Sequence, residues 1–187
     1  PRAMIAMREG LGADAIGINC SFGPDKAAPI AEEYLKYSSI PIIVNPNAGL
    51  PTVKNGETVY TTGSGEFSDI MRRIAQKGAA VLGGCCGTTP EYIAATIAKT
   101  KNIPYEYPSF KAHTLVSSYT HAVEIGKTPV LIGERINPTG KKAFKQALRD
   151  GDISYILNEA VRQEERGVHI LDVNVGLPEI DEKAMMT

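Results

Sequence analysis

Apolar positions along this chain fall into two registers that alternate. Short, nearly unbroken apolar runs end in polar or glycine-rich stretches, and segments with apolar residues three and four apart follow them. The first run covers residues 15–20 and its loop residues 21–24; residues 26–37 then carry Ile30, Tyr34 and Leu35 at helical spacing. The second run, 41–45, opens into a long Pro-, Gly-, Asn- and Thr-rich loop over 46–65. A helix over 66–77 follows, with Phe67, Ile70, Met71 and Ile74 on one face and Gly78 as its C-terminal stop. The third run is 79–83, with a loop over 84–89. Thr89 fits an N-cap and Pro90 the first helical position, and that helix runs to about Lys99.

From residue 101 to 127 the alternation breaks. Pro104, Tyr105, Tyr107, Pro108 and Phe110 predict an extended linker pinned by its aromatic residues. Alternation resumes with a strand over 129–133 that delivers Glu134, Arg135, Ile136 and Asn137 to its end. Helices over 141–149 and 153–166 come next, the second closed by Gly167. A strand over 169–174 and a helix start over 179–186 complete the chain. Continuous apolar strands alternating with helices imply a parallel sheet covered on both faces, either a (β/α) barrel or an open doubly wound sheet. Either architecture gathers chemistry at the C-terminal ends of its strands. A closed barrel needs eight strands. Three βα units in the first block and two in the second fall short, so the expectation is a piece of a longer polypeptide.

Composition narrows the partners. The 187 residues include 20 Lys+Arg and 21 Asp+Glu, a formal net charge of -1, and no basic block. Nothing here supplies an electrostatic case for nucleic acid. No apolar run approaches the ~18 to 20 residues of a membrane span, and residues 1–10 mix charge into an amphipathic pattern unlike a secretory signal. A cytoplasmic protein is expected. His113, His121 and His169 are not spaced as metal ligands and read as ordinary structural residues.

The three cysteines, Cys20, Cys85 and Cys86, all fall at the ends of expected strands. An odd number makes a poor disulfide framework, and clustered thiols in a reducing compartment are more often metal ligands or catalytic groups. A catalytic zinc site uses three protein ligands and keeps one position open. Neighbouring residues of a regular strand point oppositely, so Cys85 and Cys86 converge on one ion only if the backbone turns, which Gly83, Gly84 and Gly87 permit. Three small residues buried at strand ends are the alternative.

Gly17-Ile18-Asn19-Cys20 and Gly83-Gly84-Cys85-Cys86-Gly87-Thr88-Thr89-Pro90 resemble the two signatures of the homocysteine S-methyltransferase family over roughly residues 1–100. The resemblance implies the last three βα units of a TIM-type barrel, zinc held by Cys20, Cys85 and Cys86, and homocysteine bound through it. Asn19 is the associated candidate for substrate binding. Gly133-Glu134-Arg135-Ile136-Asn137-Pro138-Thr139-Gly140 and Leu171-Asp172-Val173-Asn174-Val175-Gly176 resemble the first two strand ends of the pterin-binding barrels, a family that includes dihydropteroate synthase. That likeness implies folate contacts from Glu134, Asn137, Thr139, Gly140, Asp172 and Asn174. A flat pterin edge of donors and acceptors suits such carboxylates and amides.

The order of the two blocks resembles the cobalamin-dependent methionine synthase family. It implies parts of two (β/α)8 barrels, residues 1–100 and 128–187, joined by a linker over 101–127. The implied reaction passes a methyl group from 5-methyltetrahydrofolate through cobalamin, held by a module outside these residues, to homocysteine. Three rivals remain: a non-catalytic zinc-binding scaffold, a cobalamin-independent homocysteine S-methyltransferase, and a pterin enzyme of the dihydropteroate synthase type.

Overall fold

The computed structural model describes residues 1–187, which form a mixed α/β protein of two compact units, 1–122 and 123–187. In the first unit α1 (Arg2–Gly10), β1 (Ile16–Asn19), α2 (Pro24–Tyr37) and β2 (Ile42–Asn45) come first. A hairpin of β3 (Pro51–Lys54) and β4 (Glu57–Tyr60) follows, then α3 (Ser64–Gln76), β5 (Val81–Leu82), α4 (Pro90–Thr100) and β6 (Thr114–Ser117). The three expected apolar runs become one parallel sheet in the order β1-β2-β5, with Ile16 opposite Ile42 and Ile43 opposite Val81. Parallel pairing puts all three C-terminal ends on one edge of the sheet, where the cysteine-bearing loops emerge.

Apolar burial holds this sheet to its helices. Ile16, Ile18, Ile42 and Val44 pack with Ala27, Ala31 and Tyr34 of α2 and with Phe67, Met71 and Ile74 of α3. Phe67 is fully buried and meets the Tyr92 ring edge-on, centroids 5.4 Å apart. Phe67→Ala is expected to destabilise the unit by about 3–5 kcal/mol through lost burial and a residual cavity. The check is a fall in the urea midpoint followed by circular dichroism.

Two elements depart from the sequence expectation. The loop over 46–65 contains the β3–β4 hairpin, whose turn residues Asn55 and Gly56 both have positive φ, 52° and 81°. An Asn-Gly pair between β-branched residues is the sequence signature of such a turn, and the loop composition masked it. Tyr107 and Phe110 do not pin the linker, because both are exposed, while Tyr105 lines a shallow cavity with Ala75, Ala79 and Leu82. Attachment comes instead from the Lys111 N–H, which donates to Ser39 Oγ at 2.9 Å, and from His113, whose ring lies 5.5 Å from that of Tyr37.

The second unit begins within β7 (Ala122–Ile125) and continues through β8 (Ile132–Ile136), α5 (Lys142–Asp150), α6 (Ile153–Glu164), β9 (Ile170–Val173) and α7 (Glu182–Met186). Strands β8 and β9 are parallel, and Ile136, Phe144, Leu148, Val175 and Leu177 form the core. β8 starts three residues later than the apolar pattern suggested. Pro129 has no N–H, and the Leu131 N–H donates to the His169 ring at 3.0 Å rather than to a ladder partner. Glu134 and Arg135 therefore lie within the strand. They occupy an irregularity in the register between Gly133 and Ile136. Buried Gln163 satisfies it: its Oε1 accepts the Arg135 N–H at 2.8 Å and its Nε2 donates to the Glu159 carbonyl at 3.0 Å. No helix is long and apolar enough to cross a membrane.

Candidate metal centre and strand-end networks

Cys20 follows the last residue of β1 and is tied to β2 by its N–H, which donates to the Asn45 carbonyl at 3.0 Å. The chain then turns sharply, with Cys20 and Ser21 both left-handed at φ 61° and 60°. For residues with a Cβ that conformation costs about 1–2 kcal/mol each, so the surrounding contacts must hold it. Cys85 and Cys86 follow β5 and are fastened to the loop after β2. The Cys85 N–H donates to the Pro46 carbonyl at 2.9 Å and the Cys86 N–H to Asn47 Oδ1 at 3.0 Å, while the Cys86 carbonyl accepts from the Ala48 N–H at 2.9 Å. Asn47 is buried and was missed by sequence reasoning. Its signal was an Asn two residues past a strand end, diluted in a loop full of Asn, Pro and Gly.

The backbone turn at the cysteine pair is real, but the three glycines serve it differently. Gly87 alone has positive φ, 79°. Gly83 and Gly84 are close-approach sites: a Cβ at Gly83 would strike Asn45 Oδ1, and one at Gly84 the Thr88 side chain. Thr88 Oγ1 closes the turn by donating to the Cys85 carbonyl at 2.7 Å. Tyr60, at the end of β4, lies against this loop.

Three sulfurs converge as a result. Cys20 and Cys86 Sγ are 3.8 Å apart, Cys85 and Cys86 Sγ 3.9 Å, and all three lie within 4.8 Å of one another. Sulfur ligands of a tetrahedral zinc ion, at about 2.3 Å each, stand about 3.8 Å apart, so the donor set fits such an ion. The Ser21 backbone N–H, followed by the Cys86 and Cys85 thiols, pulls the Cys20 pKa down. The hydrogen bond with Cys20, then burial, pushes Cys85 up. Burial, followed by the Cys86 sulfur, raises the Tyr60 phenol. Asn19 is exposed at the end of β1, one residue before Cys20.

In the second unit Asn137 Nδ2 donates to Glu134 Oε1 at 2.7 Å, and Asn137 Oδ1 accepts the Thr139 N–H at 2.9 Å. Lys141, not anticipated from the sequence, donates to the Glu134 and Arg135 carbonyls at 3.3 and 3.2 Å and pairs with Glu134 Oε2 at 3.5 Å. The cationic partner of Glu134 is thus Lys141. Gly140 takes a left-handed φ of 72° within the same turn. Asn174 Oδ1 accepts the Gly176 N–H at 2.8 Å, and the Asn174 N–H donates to the Ile136 carbonyl at 2.8 Å, joining the two strand ends. Asp172 is exposed on β9 outside this network.

Residues 1–100 match the family model described as homocysteine S-methyltransferase. The chain belongs to the homocysteine S-methyltransferase family. All three cysteines, Asn19, Asn47 and Tyr60 lie inside the family segment. The chain is 35% identical over 181 residues to the methionine synthase of Mycobacterium leprae (strain TN) and 34% identical over 176 residues to that of Mycobacterium tuberculosis (strain ATCC 25618 / H37Rv). Each alignment covers 92% of this chain, and so continues well past the family segment, but only 15% of the relative. Among solved structures, the homocysteine methyltransferase MmuM from Escherichia coli, metallated form, is 27% identical with a TM-score of 0.41, covering 52% of this chain and 28% of that one.

Proposed function

We propose that these residues belong to a methionine synthase that carries a methyl group from 5-methyltetrahydrofolate through cobalamin to homocysteine, in the cytoplasm. The single observation that carries this reading is the convergence of the Cys20, Cys85 and Cys86 sulfurs at the spacing of a tetrahedral ion. Residues 1–100 would be the last βα units of the homocysteine barrel, 101–127 the linker, and 128–187 the opening of the pterin-binding barrel. The similarity to methionine synthases on both sides of residue 100 supports that division.

Cys20, Cys85 and Cys86 would hold the zinc. When bound, zinc supplies a Lewis acid that lowers an incoming thiol below its ordinary pKa of about 8.5. The chain's part is to keep three thiolates in place. Asn47 and the Pro46 carbonyl fix the cysteine pair, and the left-handed turn at Cys20 aims the third sulfur at them. Three thiolates make the site anionic, which leaves a substrate sulfur beside them electron-rich enough to attack a methyl group. Asn19 would offer its amide to homocysteine. In the second unit Glu134 and Asn137 would pair with the pterin edge, with Thr139 and Gly140 backing the ring and Asp172 and Asn174 at the neighbouring strand end.

The test uses the intact polypeptide. Metal analysis should return one zinc per chain. Methylcobalamin-to-homocysteine transfer should require it, and methyltetrahydrofolate-to-cobalamin transfer should not. Zinc-loaded protein that leaves homocysteine unmethylated would favour a scaffold role instead.

A further inference from the structure

The β3–β4 hairpin takes no part in the parallel sheet, yet its last residue reaches the cysteine loop. The Tyr60 ring lies directly on Gly87: a Cβ at position 87 would collide with Tyr60 Cγ and Cδ2. Gly87 follows Cys86, whose sulfur lies 3.8 Å from that of Cys20 and 3.9 Å from that of Cys85. The hairpin is otherwise exposed, along all of β3 and at Glu57 and Thr58 of β4, so its ends fix its place. There the Thr62 N–H donates to the Ala48 carbonyl at 3.0 Å and the Tyr92 hydroxyl to the Thr62 carbonyl at 2.8 Å. Ala48 in turn donates to the Cys86 carbonyl. The hairpin exit, the loop after β2 and the cysteine loop are thereby joined.

We propose that Tyr60 is a positioning residue for the cysteine cluster: its ring, seated on Gly87, holds the exposed Cys86 in register with Cys20 and limits the access of small solutes such as alkylating agents and chelators to the half-buried Cys20 and Cys85. This deepens the metal reading above and rests on it for the chelator arm of the test alone.

The experiment uses the intact polypeptide in two forms. Metal-free protein is treated with iodoacetamide and the alkylation rates of Cys20 and Cys85, the half-buried thiols, are read by mass spectrometry. Zinc-loaded protein is mixed with a chromogenic chelator and zinc release is timed. Tyr60→Ala should accelerate both by about two- to tenfold, the factor expected when one aromatic contact is lost. Tyr60→Phe should lie much nearer the unmodified protein than Tyr60→Ala in both, because it keeps the ring on Gly87 and loses only the hydroxyl's contact with the Cys86 sulfur. Gly87→Ala should accelerate both by unseating the ring, and its effect should shrink in a Tyr60→Ala background to what the strain of a Cβ at a φ of 79° alone produces. Unchanged alkylation in a folded Tyr60→Ala protein would overturn the proposal, and so would a Tyr60→Phe variant as fast as Tyr60→Ala. If Tyr60→Ala does not fold, unchanged alkylation in Gly87→Ala overturns it equally. Failure of the unmodified protein to take up zinc would count against the metal reading, while the alkylation arm would still decide the role of Tyr60.

Discussion

Replacing Cys85 by Ala in the intact polypeptide should remove most of its zinc and nearly all transfer of methyl groups to homocysteine. Thiolate-rich zinc sites bind with roughly 10 to 16 kcal/mol, so each of four ligands accounts for about 3 to 4 kcal/mol. Losing one ligand therefore weakens zinc about a hundredfold to a thousandfold. Cys20→Ala and Cys86→Ala should behave alike, because each sulfur sits within 4.8 Å of the other two and none is peripheral. Backbone stability should change little. Cys85 is tied into its loop by its N–H and carbonyl, to Pro46 and Thr88, and Ala keeps both bonds. Circular dichroism and metal analysis on the same sample separate the two effects. A Cys85→Ala protein that keeps one zinc per chain would defeat the proposed ligand set.

Glu134→Gln should act on the other half of the proposed reaction. Gln keeps the shape of the side chain but loses the charge that pairs with Lys141 and exchanges one of the two acceptor oxygens that suit pterin N–H groups for an NH2 donor. A buried donor left without its partner costs roughly 1 to 3 kcal/mol, which corresponds to about a tenfold to hundredfold loss of affinity for methyltetrahydrofolate. Methyl transfer from methyltetrahydrofolate to cobalamin should fall accordingly. Transfer from methylcobalamin to homocysteine should stay normal, because the cysteine cluster belongs to a different compact unit and sites without shared partners act independently. Equal loss in both half-reactions would mean that Glu134 supports the fold through Lys141 and Asn137. No loss in either would leave it a rim ion pair.

The sequence by itself determined the alternation of strands and helices, because the period of apolar residues is a local property. The runs around Ile16, Ile42 and Val81 and the helical face of Phe67, Ile70, Met71 and Ile74 were all legible. It also determined that Cys20, Cys85, Cys86 and Asn137 wait just past strand ends, whereas Glu134, expected there too, lies inside β8. Three short features escaped it for lack of a long periodic pattern: the hairpin turning at Asn55-Gly56, the late start of β8 after Pro129, and the register irregularity backed by Gln163. Tertiary structure alone decided that the Cys20 sulfur meets those of the adjacent pair Cys85 and Cys86, far along the chain, since only the parallel register of β1, β2 and β5 brings their loops to one edge. It alone recruited Asn47, Tyr60 and Lys141. An amide and an ammonium in loops and a phenol at the end of a short hairpin strand carry no periodic signal, and their roles follow from where a neighbouring segment is delivered. The close packing of Gly83, Gly84 and Gly87 belongs to the same class, because the need for a missing Cβ is set by the atoms of other segments.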